Sequence, residues 1–193
     1  MRRVASIDTA RLRLRPYREN DLDALHALWT DPQVRRYLWD DRVIERTLAA
    51  EVMRGSMAST ATEGFGHWAV CPTGGDALIG FCGLRRLDDG PDVELLYGLT
   101  PAYWHRGLAT EAARAMLRFG FEQLGFARIF ALTDAPNTAS VAVMQRLGMS
   151  FECRLIYHGL DTVQYIMRRD AFTVPDEPFL VHYAASRGRE EAR

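Results

Sequence analysis

The first apolar rhythm along the chain has a period of two. Across residues 10–16, Leu12 and Leu14 alternate with Arg11, Arg13 and Arg15, the pattern of a half-buried strand. After Asn20 or Asp21, either of which can cap a helix, the spacing becomes Leu22, Leu25, Leu28 and Trp29, one face of a helix that Thr30-Asp31-Pro32 ends. Ile44, Leu48 and Val52 place a second helix over about 43–59. Residues 64–71 and 77–84 read as strands joined by the turn Pro72-Thr73-Gly74-Gly75-Asp76. A further strand, 93–99, follows the turn Asp88-Asp89-Gly90-Pro91. The period then shifts to that of a helix. From 110 to 124, Ala112, Ala113, Met116, Leu117, Gly120, Phe121 and Leu124 oppose Glu111, Arg114, Arg118 and Glu122, and Gly125 stops the run. An apolar strand at 127–132, a short helix at 137–147 closed by Gly148, and strands at 151–157 and 162–168 complete the pattern.

That order predicts an α+β fold: a mixed, mostly antiparallel sheet with helices on both faces. Its 193 residues suit one domain, expected over 1–175. The polar stretch 176–193, ending Ser186-Arg187-Gly188-Arg189-Glu190-Glu191, is expected to be a partly disordered tail. The N-terminus, Met1-Arg2-Arg3-Val4-Ala5, has no apolar signal-peptide core, and no apolar run approaches the ~20 residues of a membrane span. The expectation is a soluble cytoplasmic protein, monomer or homodimer, without a membrane partner. A net charge of −1 argues against nucleic acid as a partner.

Composition excludes more than it suggests. All 24 basic residues are arginine, which removes P-loop, Schiff-base and kinase lysine chemistry. Cys71, Cys82 and Cys153 are too far apart for a C-x-x-C site, and His26, His67, His105, His158 and His182 lack metal-ligand spacing, so no metal is expected. Trp29, Trp39 and Trp68 suit core or cleft wall. Asp40, Asp41, Asp88, Asp89 and Asp92 are candidates to line a cleft for a cationic amine, although loops are rich in aspartate anyway.

Chemistry concentrates between residues 94 and 112. There a strand passes through a short loop containing Gly107 into the long helix. Helix N-termini expose unpaired amides and the positive end of the dipole, and therefore bind phosphate. Gly107 allows close approach of the backbone, Ala109 and the Thr110 hydroxyl keep the mouth open, and Arg106 adds charge. The same pattern also suits an ordinary strand-to-helix turn.

The stretch Tyr103-Trp104-His105-Arg106-Gly107-Leu108-Ala109-Thr110-Glu111-Ala112 resembles the pyrophosphate loop of GNAT N-acetyltransferases, Q/R-x-x-G-x-G/A. Within that superfamily it is similar to the RimJ/RimL-like branch, which typically reads Y-W-G-K-G-Y-A-T-E-A; Trp104 at the Q/R position is usual there. The resemblance extends to Thr9-Ala10-Arg11-Leu12-Arg13-Leu14-Arg15, Leu78-Ile79-Gly80-Phe81-Cys82-Gly83-Leu84, Asn137-Thr138-Ala139-Ser140 and Arg146-Leu147-Gly148-Met149. It implies a splayed sheet and acetyl-CoA as co-substrate. Residues 105–110 (His105, Arg106, Gly107, Leu108, Ala109 and Thr110) and Asn137 would hold the cofactor. The pantetheine arm would bond to the backbone of Tyr97 and Leu99. It further implies direct acetyl transfer to an amine acceptor, a protein N-terminus or a small molecule. Glu94 matches a strand position where relatives carry a base. The tyrosine that many relatives use as an acid is Met144 here, and Ser140, one turn earlier, matches the serine that replaces it in this branch. Each has a plainer reading: Glu94 as a surface carboxylate, Ser140 as a first-turn cap, Asn137 as an N-cap. Leu96 departs from the small residue usual beside the tyrosine. The alternative function is a non-catalytic acyl-CoA-binding or regulatory module on the same fold.

Overall fold

A computed structural model describes residues 3–87, 90–174 and 176–184. Two antiparallel strands, β1 (Val4–Asp8) and β2 (Leu12–Pro16), lead into helices α1 (Leu22–Thr30), α2 (Pro32–Leu38) and α3 (Arg46–Thr62). A meander follows: β3 (His67–Pro72), β4 (Gly80–Arg86) and β5 (Val93–Leu99). Helix α4 (Leu108–Glu122), strand β6 (Arg128–Asp134), helix α5 (Thr138–Arg146) and strands β7 (Ser150–Tyr157), β8 (Leu160–Arg168) and β9 (Leu180–Tyr183) complete the chain. All nine strands form one sheet in the order β7-β8-β6-β5-β4-β3-β2-β1-β9. Every neighbouring pair is antiparallel except β5 and β6.

The α+β architecture agrees with the apolar pattern; three segments differ from it. Pro32 does not only end α1. Asp31 accepts from the amide of Gln33 and caps a second helix, with Pro32 at its first position, where a missing amide costs nothing. β1 lies ahead of the first expected strand, and its partner β2 begins at Leu12. The expected tail also enters the fold, because β9 pairs with β1 through Ile7↔Val181 and Asp8↔Leu180. The described residues past 175 are 176–184; Ser186 to Glu191 lie outside the described residues, as do Asp88 and Asp89. Among the described residues no helix is long and apolar enough to cross a membrane.

Two apolar cores sandwich the sheet. On one face α4 buries Ala112, Ala113, Met116, Leu117, Phe119 and Phe121 against Trp68, Leu84, Leu95 and Ile129. Each large side chain so buried contributes roughly 1.5–3 kcal/mol. On the other face α1, α2 and α3 pack Leu25, Trp29, Val34 and Met53 over Ala69, Cys71 and Phe81. Alternation along β5 decides which face each residue serves: Val93, Leu95, Tyr97 and Leu99 join the α4 core, and Leu96 joins the α1–α3 core. A buried bidentate ion pair, Arg15 with Asp21 at 2.7 and 2.8 Å, ties β2 to the entry of α1.

Candidate active site

The sheet divides at one place. β4 and β5 pair along seven residues, and so do β6 and β8, yet the parallel contact of β5 with β6 is confined to Glu94↔Phe130. The amide of Thr100 donates to Ile79 on the β4 side. Strand alternation then turns the backbone groups of Leu95, Tyr97 and Leu99 toward β6. Beyond Glu94 those of Tyr97 and Leu99 face a gap. The Leu99 carbonyl accepts from the Trp104 indole at 2.6 Å, a bond that the sequence pattern did not suggest.

At the end of β5 the chain turns through two left-handed residues, His105 (φ 58°) and Gly107 (φ 75°), and enters α4. His105, Arg106 and Gly107 are exposed. The first intrahelical bond runs from the Glu111 amide to the Gly107 carbonyl at 3.0 Å. The amides of Leu108, Ala109 and Thr110 therefore have no helical partner, and Gly107 has no side chain to cap them. Such a mouth fits a phosphate. The Arg106 guanidinium lies over the Tyr103 ring at 5.5 Å, and its carbonyl accepts from Arg11. Glu111, in the first turn of α4, is neutralised by Arg11 at 2.6 Å and accepts from the Thr9 hydroxyl. Burial alone would raise its carboxyl; those hydrogen bonds and the Arg11 charge hold it below the ordinary value.

The two expected proton-handling residues lie on opposite faces of β5. Glu94 is no surface carboxylate: it is 4% exposed, on the α1–α3 face, with Arg85 Nε at 2.7 Å. His67, on the same face, is depressed to about 3 by burial and by the charge of Arg85, so its ring is neutral in ordinary buffers. Its ring stands 6.0 Å from Phe81, which also meets Trp29 edge-on, and Trp39 stands 5.5 Å from Trp29. Trp29 and Trp39 thus form an aromatic wall on the Glu94 face, whereas Trp68 is in the α4 core.

On the other face Ser140 does not cap its helix. Asn137 does so, with Oδ1 accepting from the Ser140 amide at 3.3 Å and Nδ2 donating to Thr133. The Ser140 hydroxyl instead meets the Tyr97 hydroxyl at 2.9 Å, and the Tyr97 O–H is also 3.1 Å from the Ser140 carbonyl. Burial pushes the Tyr97 phenol above its ordinary value, so it stays protonated. Sequence reasoning assigned Tyr97 a backbone role only; the hydroxyl pair depends on α5 packing beside β5, 43 residues away in the chain. Met144 is fully buried. Of the aspartates, Asp40, Asp41 and Asp92 are held by Arg42, Arg35 and Arg128. Asp134, at the end of β6, is raised by burial and by the nearby charges of Asp40 and Asp161.

A divided sheet beside a bare helix N-terminus has a family counterpart: residues 11–150 match the model described as "Acetyltransferase (GNAT) domain". The chain belongs to the GNAT acetyltransferase family. Like its family, this GNAT acetyltransferase uses acetyl-CoA. It is 32% identical over 157 residues to the FsC-acetyl coenzyme A-N(2)-transacetylase of Aspergillus fumigatus, covering 75% of this chain and 65% of that one. An uncharacterized N-acetyltransferase, p20, of Bacillus licheniformis is 28% identical over 151 residues, covering 77% and 84%. The spermidine N(1)-acetyltransferase of Escherichia coli is 23% identical, covering 80% and 81%. In fold, the GNAT acetyltransferase resembles an acetyltransferase from Agrobacterium tumefaciens, with a TM-score of 0.77 at 22% identity over 86% of this chain and 95% of that one. It also resembles RimL, a ribosomal alpha-N-protein acetyltransferase in complex with coenzyme A, with a TM-score of 0.72 at 19% identity over 84% and 97%.

Proposed function

We propose that this acetyltransferase moves the acetyl group directly from acetyl-CoA to a primary amine, with no covalent enzyme intermediate, with Glu94 as base and Ser140 as acid. The observation that carries this reading is the gap between β5 and β6 beyond Glu94, at the end of the strand that leads to the bare amides of α4. Acetyl-CoA supplies the acyl thioester. The amides of Leu108, Ala109 and Thr110, with Arg106 beside them, hold its pyrophosphate, and the edge of β5 at Tyr97 and Leu99, where the Leu99 carbonyl also accepts from Trp104, takes its pantetheine amides. The acceptor enters from the face of Glu94, His67 and the Trp29–Trp39 wall. Glu94 takes the proton of the amine, directly or through water, as the C–N bond forms and gives a tetrahedral intermediate, from which the C–S bond then breaks. From the opposite face the Ser140 hydroxyl, partnered by Tyr97, gives a proton to the departing sulfur.

A plain carboxylate is a weak base, and an α-amino group of pKa ~8 needs far less help than a lysine amine at ~10.4. This favours a protein N-terminus or a small-molecule amine of similar basicity, and it fits the RimJ/RimL-like branch. Amines and peptide N-termini screened with acetyl-CoA while free thiol is followed should show release well above uncatalysed thioester hydrolysis. CoA binding without turnover across a broad panel of acceptors and acyl donors would instead favour a non-catalytic acyl-CoA module. With an active acceptor, Glu94→Gln should make the rate depend more steeply on high pH. An unaltered profile between pH 6 and 10 would remove Glu94 as the base.

A further inference from the structure

One side of α4 looks into a cleft of about 620 Å³ that begins at the phosphate mouth. Gly107 and Thr110 line one end, Arg114, Arg118 and Arg146 continue along it, and Glu177 and Phe179 stand across it. Thr110 and Arg114 are one helical turn apart, about 6 Å of rise. A second phosphate on a nucleotide anchored at the mouth therefore comes within reach of Arg114. That arginine is already engaged: Nη1 pairs with Glu177 Oε1 at 2.7 Å, and Nη2 donates to the Arg146 carbonyl at 3.4 Å. The Glu177 side chain is 49% exposed, so the pair is solvated and opens at little cost. Arg118 lies 4.5 Å over the Phe179 ring, and β9 anchors the segment to β1 immediately afterwards. The segment 177–179 lies outside residues 11–150, the stretch that matches the family model.

We propose that Arg114 reads the ribose phosphate of coenzyme A, and that Glu177 holds its place until that phosphate arrives. The segment 177–179 then acts as a specificity element: its carboxylate occupies a phosphate oxygen's position on the guanidinium and must be displaced by the nucleotide. A dianionic phosphate outcompetes a single solvated carboxylate for a planar guanidinium, whereas a nucleotide without it leaves the Arg114–Glu177 pair intact. The proposal rests on the assignment of the α4 mouth to the pyrophosphate.

Calorimetry with CoA and dephospho-CoA on the full-length protein tests both residues. Wild type should bind CoA more tightly than dephospho-CoA. Arg114→Gln should weaken CoA about 10-fold, the scale of one lost charge-assisted contact, and leave dephospho-CoA within about 2-fold. Glu177→Gln keeps the shape but removes the competing charge; it should tighten CoA about 3-fold or more, with dephospho-CoA again unmoved. The proposal falls if Glu177→Gln leaves CoA affinity unchanged or lowers it. It falls equally if Arg114→Gln weakens both ligands alike, or if wild type binds both alike. Wild type that binds neither ligand would overturn the phosphate-mouth assignment itself, and this proposal with it.

Discussion

At the scale of single residues, the proposed acid Ser140 is paired with Tyr97. Their hydroxyls are 2.9 Å apart, and the phenol stays protonated because burial raises it. Ser140→Ala should lower kcat by about 10²-fold, the lower end of what a positioned acid contributes. CoA affinity should change by no more than about 2-fold, since the proton matters as the C–S bond breaks. Tyr97→Phe keeps the ring and removes only the hydroxyl; it should lose much of the same rate, and the double variant should be no slower than Ser140→Ala alone. Single-turnover acetyl transfer would read all three, and losses that add would mean that the hydroxyls act separately. Ser140 was legible as a candidate through the family resemblance, one turn before Met144. Its partner was not, because a strand and a helix 43 residues apart meet only in the folded chain.

At the scale of the element, α4 joins the core to the uncapped amides proposed to hold the cofactor. Its apolar face was readable from spacing alone, and the helix begins where Gly107 can take φ 75°. Valine at Gly107 would be strained at that angle and would crowd the mouth, so Gly107→Val should raise the Kd for CoA at least ~10-fold, or ~1.4 kcal/mol, in a protein that still folds. Unchanged affinity by calorimetry would remove the phosphate assignment. The helix is also pinned to the β1–β2 turn by Glu111, through the Thr9 hydroxyl and the Arg11 amide and guanidinium. A carboxyl lowered on folding stabilises the protein above its unfolded value, 4.5 for Glu, and loses that contribution as pH falls through the folded one. Glu111→Gln should therefore lower Tm by a few degrees at pH 7, and the difference from wild type should shrink as pH falls below about 5. A difference independent of pH would mean that Glu111 acts by shape rather than charge.

For the molecule as a whole, the last strand lies within the stretch expected to be a partly disordered tail. β9 covers the edge of β1, and Phe179 and Val181 pack against the core that holds Val4 and Ile7. Removing residues 176–193 should uncover that edge and cost about 2 kcal/mol of apolar burial and ladder bonds. A thermal melt should record this as a Tm lower by roughly 4–8 °C for a domain of this size. An unchanged Tm would return the segment to the status of a tail.

The sequence by itself determined the class of fold, the strand at 93–99, the position of α4 and the glycine at its start. These follow from local periodicity and from one glycine, which act over a few residues and need no partner. Short elements escaped it: α2, β1 and β9 have too few apolar positions to establish a period. Only the tertiary structure decided that Glu94 is buried against Arg85, that Tyr97 meets Ser140 and that Glu177 reaches Arg114. Arg85 and Glu94 meet across neighbouring strands, and the other two contacts span 43 and 63 residues. Such contacts depend on which strands become neighbours and which helix packs beside them, and local spacing carries no record of either.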